Sequence, residues 1–190
     1  MMRIITGKAR GTKLNTLEGL NTRPTSERTK EAVFSMIQFE IHESNVLDLF
    51  AGSGQMGLEA LSRGAKKATF VDNSKAAIAI IGQNVKKTHF ENESLIINAE
   101  FETYLKRAAG NEKYDLVFLD PPYASDCLIN SLKCLIKYDL LSKSGTIVCE
   151  SGRENIFDGE ESLKEKFEIV KQTKYGVAYV TIMKPRMNEE

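Results

Sequence analysis

Residues able to do chemistry gather at two places in this 190-residue chain. The first is Asp120-Pro121-Pro122-Tyr123. Asp120 offers carboxylate oxygens, and Tyr123 offers a flat aromatic face. Pro121 and Pro122 hold their carbonyls in a rigid extended turn with no N–H of their own. Acceptors beside a stacking surface suit a planar group that carries an NH₂, such as the exocyclic amine of a nucleobase. The same four residues also serve as a stiff loop, so structural context must decide. The second place is the glycine-rich turn Gly52-Ser53-Gly54-Gln55-Met56-Gly57, which follows Val46-Leu47-Asp48-Leu49-Phe50-Ala51.

Both places need strands to present them. Tyr114–Leu119 is nearly continuously apolar, the pattern of a strand buried on both faces of a parallel sheet. The two prolines have no N–H for the ladder and end it. Asp120 then stands at the carboxyl edge, where open α/β sheets bind ligands. Residues 45–49 read as the first strand, and Met56 to Arg63 as a helix after the turn. Further strands are expected at 67–71 (ending at Asp72), 94–97 (ending at Asn98), 145–149 (ending at Glu150), 167–173 and 177–183. The last two form an antiparallel hairpin around Tyr175-Gly176. Thr25 or Ser26 caps a helix whose stripe is Ala32, Val33, Met36 and Ile37. Ser74 caps one over Ala77, Ile78, Ile81 and Val85, residues 101–108 form a short helix, and Asp126 caps one over Leu128, Leu132 and Leu135. Strands alternating with helices imply an α/β fold with right-handed crossovers.

Gly52, Gly54 and Gly57 also match the dinucleotide fingerprint, and Asp72 lies 20 residues beyond Gly52, where a ribose-binding acid belongs. A nicotinamide dinucleotide-binding protein is therefore an alternative. It needs a pyrophosphate at the helix N-terminus, and it gives the Asp-Pro-Pro-Tyr segment nothing to do.

The combination of Asp48-Leu49-Phe50-Ala51-Gly52-Ser53-Gly54 with Asp120-Pro121-Pro122-Tyr123 resembles the class I S-adenosylmethionine (SAM) methyltransferases that modify exocyclic amines. Gly52 to Ala65, the opening Arg3-Ile4-Ile5-Thr6-Gly7-Lys8-Ala9-Arg10-Gly11, and Asn21-Thr22-Arg23-Pro24-Thr25 are similar to one branch. That branch is the RsmD-type bacterial 16S ribosomal RNA guanine-N2 methyltransferases, and the resemblance covers almost the whole chain. It implies a Rossmann-like, mostly parallel seven-stranded sheet with an antiparallel C-terminal hairpin strand, helices on both faces, and a small N-terminal β-hairpin extension. It also implies SAM as cofactor, no metal, and 16S rRNA as partner within an assembling or assembled small subunit. By the same resemblance Asp48, Phe50, Gly52, Ser53 and Gly54 hold the methionine end of SAM, and Asp120 borders it. Asp72 accepts from the ribose, Asn73 lies beside the adenine, and Asn98 and Ala99 meet the adenine edge. Many class I enzymes carry Asp where Asn98 stands. Asp120, Pro121, Pro122 and Tyr123 hold and stack on the target base. Because the motif serves both amines, an adenine-N6 methyltransferase on DNA or RNA is a second alternative, and a non-catalytic RNA-binding factor with a relict pocket a third. Glu150 fits either a substrate contact or a structural role.

The overall net charge of zero conceals an asymmetry. Residues 1–30 hold seven basic residues against two acidic ones, leaving the remainder net negative. A basic arm suggests a polyanionic partner; Arg3, Lys8, Arg10, Arg23 and Arg28 are the candidate phosphate contacts. Residues 1–24 then read as the RNA-contacting arm, 25–185 as the methyltransferase domain, and 186–190 as a loose tail. Cys127, Cys134 and Cys149 show no metal-ligand spacing and no pairing framework, which suits reduced thiols in the cytoplasm. No apolar run is long enough for a membrane span, and a monomer is expected.

Overall fold

The computed structural model describes residues 2–17, 27–122 and 126–186. Seven strands form one sheet: β1 (Asn45–Asp48), β2 (Lys67–Asp72), β3 (Ser94–Asn98), β4 (Tyr114–Leu119), β5 (Leu141–Ser151), β6 (Phe167–Tyr175) and β7 (Ala178–Pro185). Their order is β3-β2-β1-β4-β5-β7-β6. The first five are parallel, and β7 inserts antiparallel between β5 and β6. The helices are α1 (Glu27–Met36), α2 (Gln55–Ser62), α3 (Lys75–Thr88), α4 (Phe101–Ala108), α5 (Cys127–Lys137) and the single turn α6 (Glu161–Lys164). Most strands and long helices lie where hydrophobic period places them. No period reveals α6, because four residues are too few to show one.

Side chains alternate along each central strand. Leu116 and Phe118 of β4 enter a core with Ile4, Val33, Phe34, Leu58, Phe70 and Ile81, while Val117 and Leu119 enter a second with Leu105, Leu132 and Leu135. The first core lies under α1, α2 and α3, and the second under α4 and α5. This double burial explains the unbroken apolar runs.

Local expectations need correction at four points. Val33 and Ile37 of the expected stripe are buried and Met36 packs against the same core; the buried face of α1 extends further, to Thr29, Lys30 and Phe34, and Phe34 reaches Phe118, with ring centroids 5.6 Å apart. Lys30, one of the seven basic residues of 1–30, is therefore not a solvent charge: it is 1% exposed. β5 starts earlier than expected, since Leu141 pairs with Tyr114 across a register shift that a hydrophobic pattern does not reveal. Asp126 occupies the N-cap of α5 without a side-chain capping bond, whereas the Ser74 hydroxyl does accept from the Ala77 N–H.

The fourth correction concerns the N-terminal hairpin, which is reduced to one antiparallel bridge, Arg3 with Lys13. The Ile4 N–H donates to Thr12 and the Leu14 N–H to Met2. The N–H groups of Ile5 and Thr6 go instead to the Glu59 carboxylate, at 2.8 and 3.0 Å. Ser62 accepts from the Ala9 N–H and donates to the Thr6 carbonyl. At Gly7, with φ of +89°, a Cβ would lie 1.8 Å from the Ser62 carbonyl oxygen, so only glycine fits this close approach. Residues 5–9 of the arm are thus bonded to α2. Its expected boundary near residue 24 lies outside the described residues.

Candidate functional site

Three adjacent strands end in carboxylates on one side of the sheet. Asp48 pairs with Phe118, and Leu119 pairs with Cys149. Val46, Phe118 and Val148 all enter the first core. Alternation puts Asp48, Asp120 and Glu150, each two residues further, on that same face. All three line one cleft together with Phe50, Ala51, Gln55 and Met56. Sequence order separates these acids by tens of residues, and the parallel sheet makes them neighbours.

The glycine turn closes one end. Gly52 and Gly54 adopt φ of +55° and +76°, which lets the chain double back into α2. A Cβ on Gly57 would lie 2.4 Å from the Phe70 ring, so helix and strand pack at glycine distance. Two acids pin this turn. Asp48 Oδ2 accepts the Gly57 N–H at 3.0 Å. Asp72 Oδ2 accepts the Gly52 N–H at 2.9 Å, and its Oδ1 the Ser74 N–H at 2.8 Å. Both acids thus hold backbone, and Asp72, only half-buried, keeps lone pairs for a further donor.

Asp120 differs. Its carboxylate makes no hydrogen bond to any other described residue, and its side chain is exposed at the strand tip. Surrounding protein nevertheless limits the hydration of its charge, and Glu150 adds a like charge, so its pKa is pushed up to about 7. Water reaching the open side tempers that rise. Asp48 is 4% exposed, and burial lifts its pKa to about 7 against the opposing hydrogen bond from Gly57, with Asp120 and Asp72 adding repulsion. A cationic ligand beside these acids relieves both the desolvation and the repulsion, and the donor set of the cleft fits one.

At the neighbouring tips, Asn98 Nδ2 donates to the carbonyls of Asp72 and Asn73, 3.0 Å each. The Ala99 N–H also donates to Asp72, and Asn73 reaches Glu100 Oε1 at 3.1 Å. The Asn98 amide nitrogen is thus spent on the β2–β3 edge, which leaves its carbonyl oxygen as the group to meet a donor. Pro121 is buried and Pro122 exposed; both line a second cleft with Glu150, Ser151 and Arg153. Tyr123 and Arg23 lie outside the described residues.

Of the proposed phosphate contacts, Arg3, Lys8, Arg10 and Arg28 are all exposed. Arg3 pairs with Glu27 at 3.1 Å. Lys8 and Arg10 sit where the arm meets Ser62, at the far end of α2 from the glycine turn. Eight helical residues span about 12 Å, so these two cations flank the cleft and do not enter it.

Two positioning residues escape sequence reasoning. Glu59 is fully buried; besides the arm's N–H groups it takes Arg63 at 2.9 Å and Lys30 at 3.4 Å. Asn84, also fully buried, accepts from the Asn15 N–H and donates to the Asn15 and Ser53 carbonyls. It ties the arm and the glycine turn to α3. The available signal was a polar side chain in an apolar helix context: Glu59 inside Gly57-Leu58-Glu59-Ala60-Leu61, and Asn84 three residues past Ile81 on the α3 stripe. Among the described residues, no group of three or more His, Cys, Asp or Glu is placed to hold a metal ion.

A family model described as Conserved hypothetical protein 95 matches residues 2–184. A Haemophilus influenzae protein named Ribosomal RNA small subunit methyltransferase D is 36% identical over 169 residues, covering 87% of this chain and 88% of that one. The chain belongs to this family. Another relative of this chain, Bacillus subtilis YlbH, is 37% identical over 186 residues, 97% of this chain and 100% of its own. The solved structure of Escherichia coli yhhF is 29% identical with a TM-score of 0.85 and covers 97% of both chains. The methyltransferase fold expected from the sequence is the fold observed, including the antiparallel strand between β5 and β6.

Proposed function

We propose that this methyltransferase transfers a methyl group from SAM to the exocyclic N2 amine of a guanine in small-subunit (16S) ribosomal RNA. The observation that carries the reading is the Asp120 carboxylate, which has no hydrogen bond to another described residue and stands at a strand tip facing a cleft with two further acids. The name of the Haemophilus influenzae relative supports ribosomal RNA as the substrate class.

The glycine turn with Asp48 and Phe50 would hold the methionine end of SAM, Asp72 the ribose, and Asn73, Asn98 and Ala99 the adenine. SAM supplies an electrophilic methyl group next to a positive charge. The protein's own work falls on the amine. The guanine N2 lone pair is delocalised into the ring and must gain sp³ character to attack. Asp120 and the Pro121 carbonyl accept its two N–H bonds, which favours that geometry and stabilises positive charge as it develops. After attack the nitrogen gives up one proton, which Asp120 takes or passes to water. A carboxyl whose pKa lies near 7 can do this at neutral pH. Tyr123 would stack on the base.

A base must leave its stack to reach such a tip, at a cost of a few kcal/mol when paired. Loop or single-stranded RNA is the natural substrate. Arg3, Lys8, Arg10, Arg23 and Arg28, on an arm of residues 1–24, would grip phosphates and set register without reading sequence. A monomer acting in the cytoplasm on an assembling or assembled small subunit fits this reading.

The test uses radiolabelled-methyl SAM with bacterial small subunits from a strain lacking the counterpart enzyme, with duplex DNA in parallel. Label recovered as N2-methylguanosine is the expected result. Label in N6-methyladenine would keep the cleft and replace the base.

A further inference from the structure

The Asp-Pro-Pro-Tyr segment serves guanine and adenine alike, so the choice of base must come from another group at the cleft. Resting on the guanine-N2 reading above, we propose that Glu150 is the specificity-determining residue: its carboxylate accepts the guanine N1–H beside the N2 amine held at Asp120, and so rejects bases whose N1 is unprotonated.

Three observations converge on this residue. Leu119 and Cys149 are register partners, so Asp120 and Glu150 stand level at the tips of adjacent parallel strands, roughly 5 Å apart in backbone terms. Alternation places their side chains on the same face, and the like charge of Glu150 is felt at Asp120. Finally, Glu150 lines both the cleft that holds Asp48 and Asp120 and the one walled by Pro121, Pro122 and Arg153. It stands at the junction between the proposed cofactor side and the side where the prolines offer a base its seat.

The chemistry then separates the purines. On its Watson–Crick edge guanine places two donors side by side, the N2 amine and N1–H, followed by the O6 acceptor. Two neighbouring carboxylates match the two donors. Adenine offers one amine beside an N1 lone pair, and that lone pair would face a carboxylate. A carboxylate placed to receive a donor discriminates against an analogue that presents a lone pair there, because acceptor then faces acceptor. Arg153, exposed on the wall of the second cleft, supplies a cation of the kind that binds O6.

The experiment uses 2,6-diaminopurine, which keeps the reactive 2-amino group but has an unprotonated N1. Once wild-type enzyme has labelled a guanosine in the small subunit, stem-loop oligoribonucleotides of that segment are made with guanosine or 2,6-diaminopurine riboside at the target. Wild-type kcat/KM should favour guanosine by at least ~100-fold. Glu150→Gln, whose amide can donate to N1, should lower the guanosine rate ~10–100-fold while the diaminopurine rate holds or rises, so that the ratio falls below ~10. Glu150→Ala should lose guanosine activity without gaining diaminopurine activity. An unchanged ratio in Glu150→Gln, or an equal loss on both oligonucleotides with an unaltered melting temperature, would overturn the assignment and leave Glu150 a structural residue. Wild-type label in adenine would overturn it too, by removing the guanine reading itself, and that outcome is visible before any variant is made.

Discussion

Replacing Glu59 with Gln should show that the arm is a built part of the domain. Glu59 is fully buried. Its two oxygens serve four donors: the N–H groups of Ile5 and Thr6, the Arg63 Nε and the Lys30 ammonium. Lys30 is 1% exposed and donates to the Arg3 carbonyl at 2.6 Å. Burial already pulls the Lys30 pKa below its usual range despite the opposing pull of Glu59. Gln leaves this ammonium buried beside Arg63 without its ion-pair partner, and its NH₂ faces donors. Breaking one side of a buried ion pair costs ~3–5 kcal/mol. At about 2–4 °C per kcal/mol for a chain of this size, the melting temperature should fall by roughly 6–20 °C. Calorimetric melting measures this, and limited proteolysis should show cleavage within residues 2–17 before global unfolding. The double variant Lys30→Met with Glu59→Met should recover much of the loss, since paired apolar replacements leave no orphan charge. A Glu59→Gln protein melting within about 2 °C of wild type would refute the claim that this carboxylate anchors the arm.

Asp120→Ala should lower methyl transfer to RNA by at least ~100-fold, the scale of one lost charge-stabilising group, while calorimetric SAM affinity changes only a few-fold; normal turnover would sink the mechanism. Asp48 gives a pH prediction. Its folded pKa, about 7, lies above the ordinary 3.8. The stability it contributes is fully present below about 3.8 and is lost as pH rises through about 7. Between pH 5 and pH 8 the ligand-free protein should lose about 2–3 kcal/mol that Asp48→Asn does not lose, as read from urea melts at those two pH values. The same ionisation favours a cation, so SAM should bind more tightly at pH 8 than at pH 6. Lys8→Ala with Arg10→Ala should weaken RNA binding and reduce its log–log salt slope by about 0.7–0.9 for each phosphate contact removed. An unchanged slope would place the RNA elsewhere.

Most of the fold was legible in the sequence, and for a physical reason. Strands buried on both faces must be apolar throughout, so Val46–Leu47 and Leu116–Leu119 announced themselves, as did the α3 and α5 stripes. Prolines 121 and 122 had to end β4, and Gly52 and Gly54 had to make a turn. These are local rules, set by backbone donors and φ angles, and they placed Asp48 and Asp120 at strand ends without knowledge of any neighbour.

The remaining features are decided by contacts between distant segments. The level of Asp120 with Glu150 follows from the β4–β5 register, which no local pattern encodes. The arm reads as a basic hairpin because Arg3, Lys8, Arg10 and Lys13 dominate its composition. Its actual bonding follows from Glu59, Ser62 and Asn84, residues 50 to 70 positions away. The fate of Lys30 is the clearest case: as a sequence letter it is one more surface cation, and only the approach of α2 and the arm makes it an internal tie. Sequence alone determined which residue types could bind and react at the strand tips. Tertiary structure decided which of them face one another, because a charge in water and a charge in a core are chemically different groups.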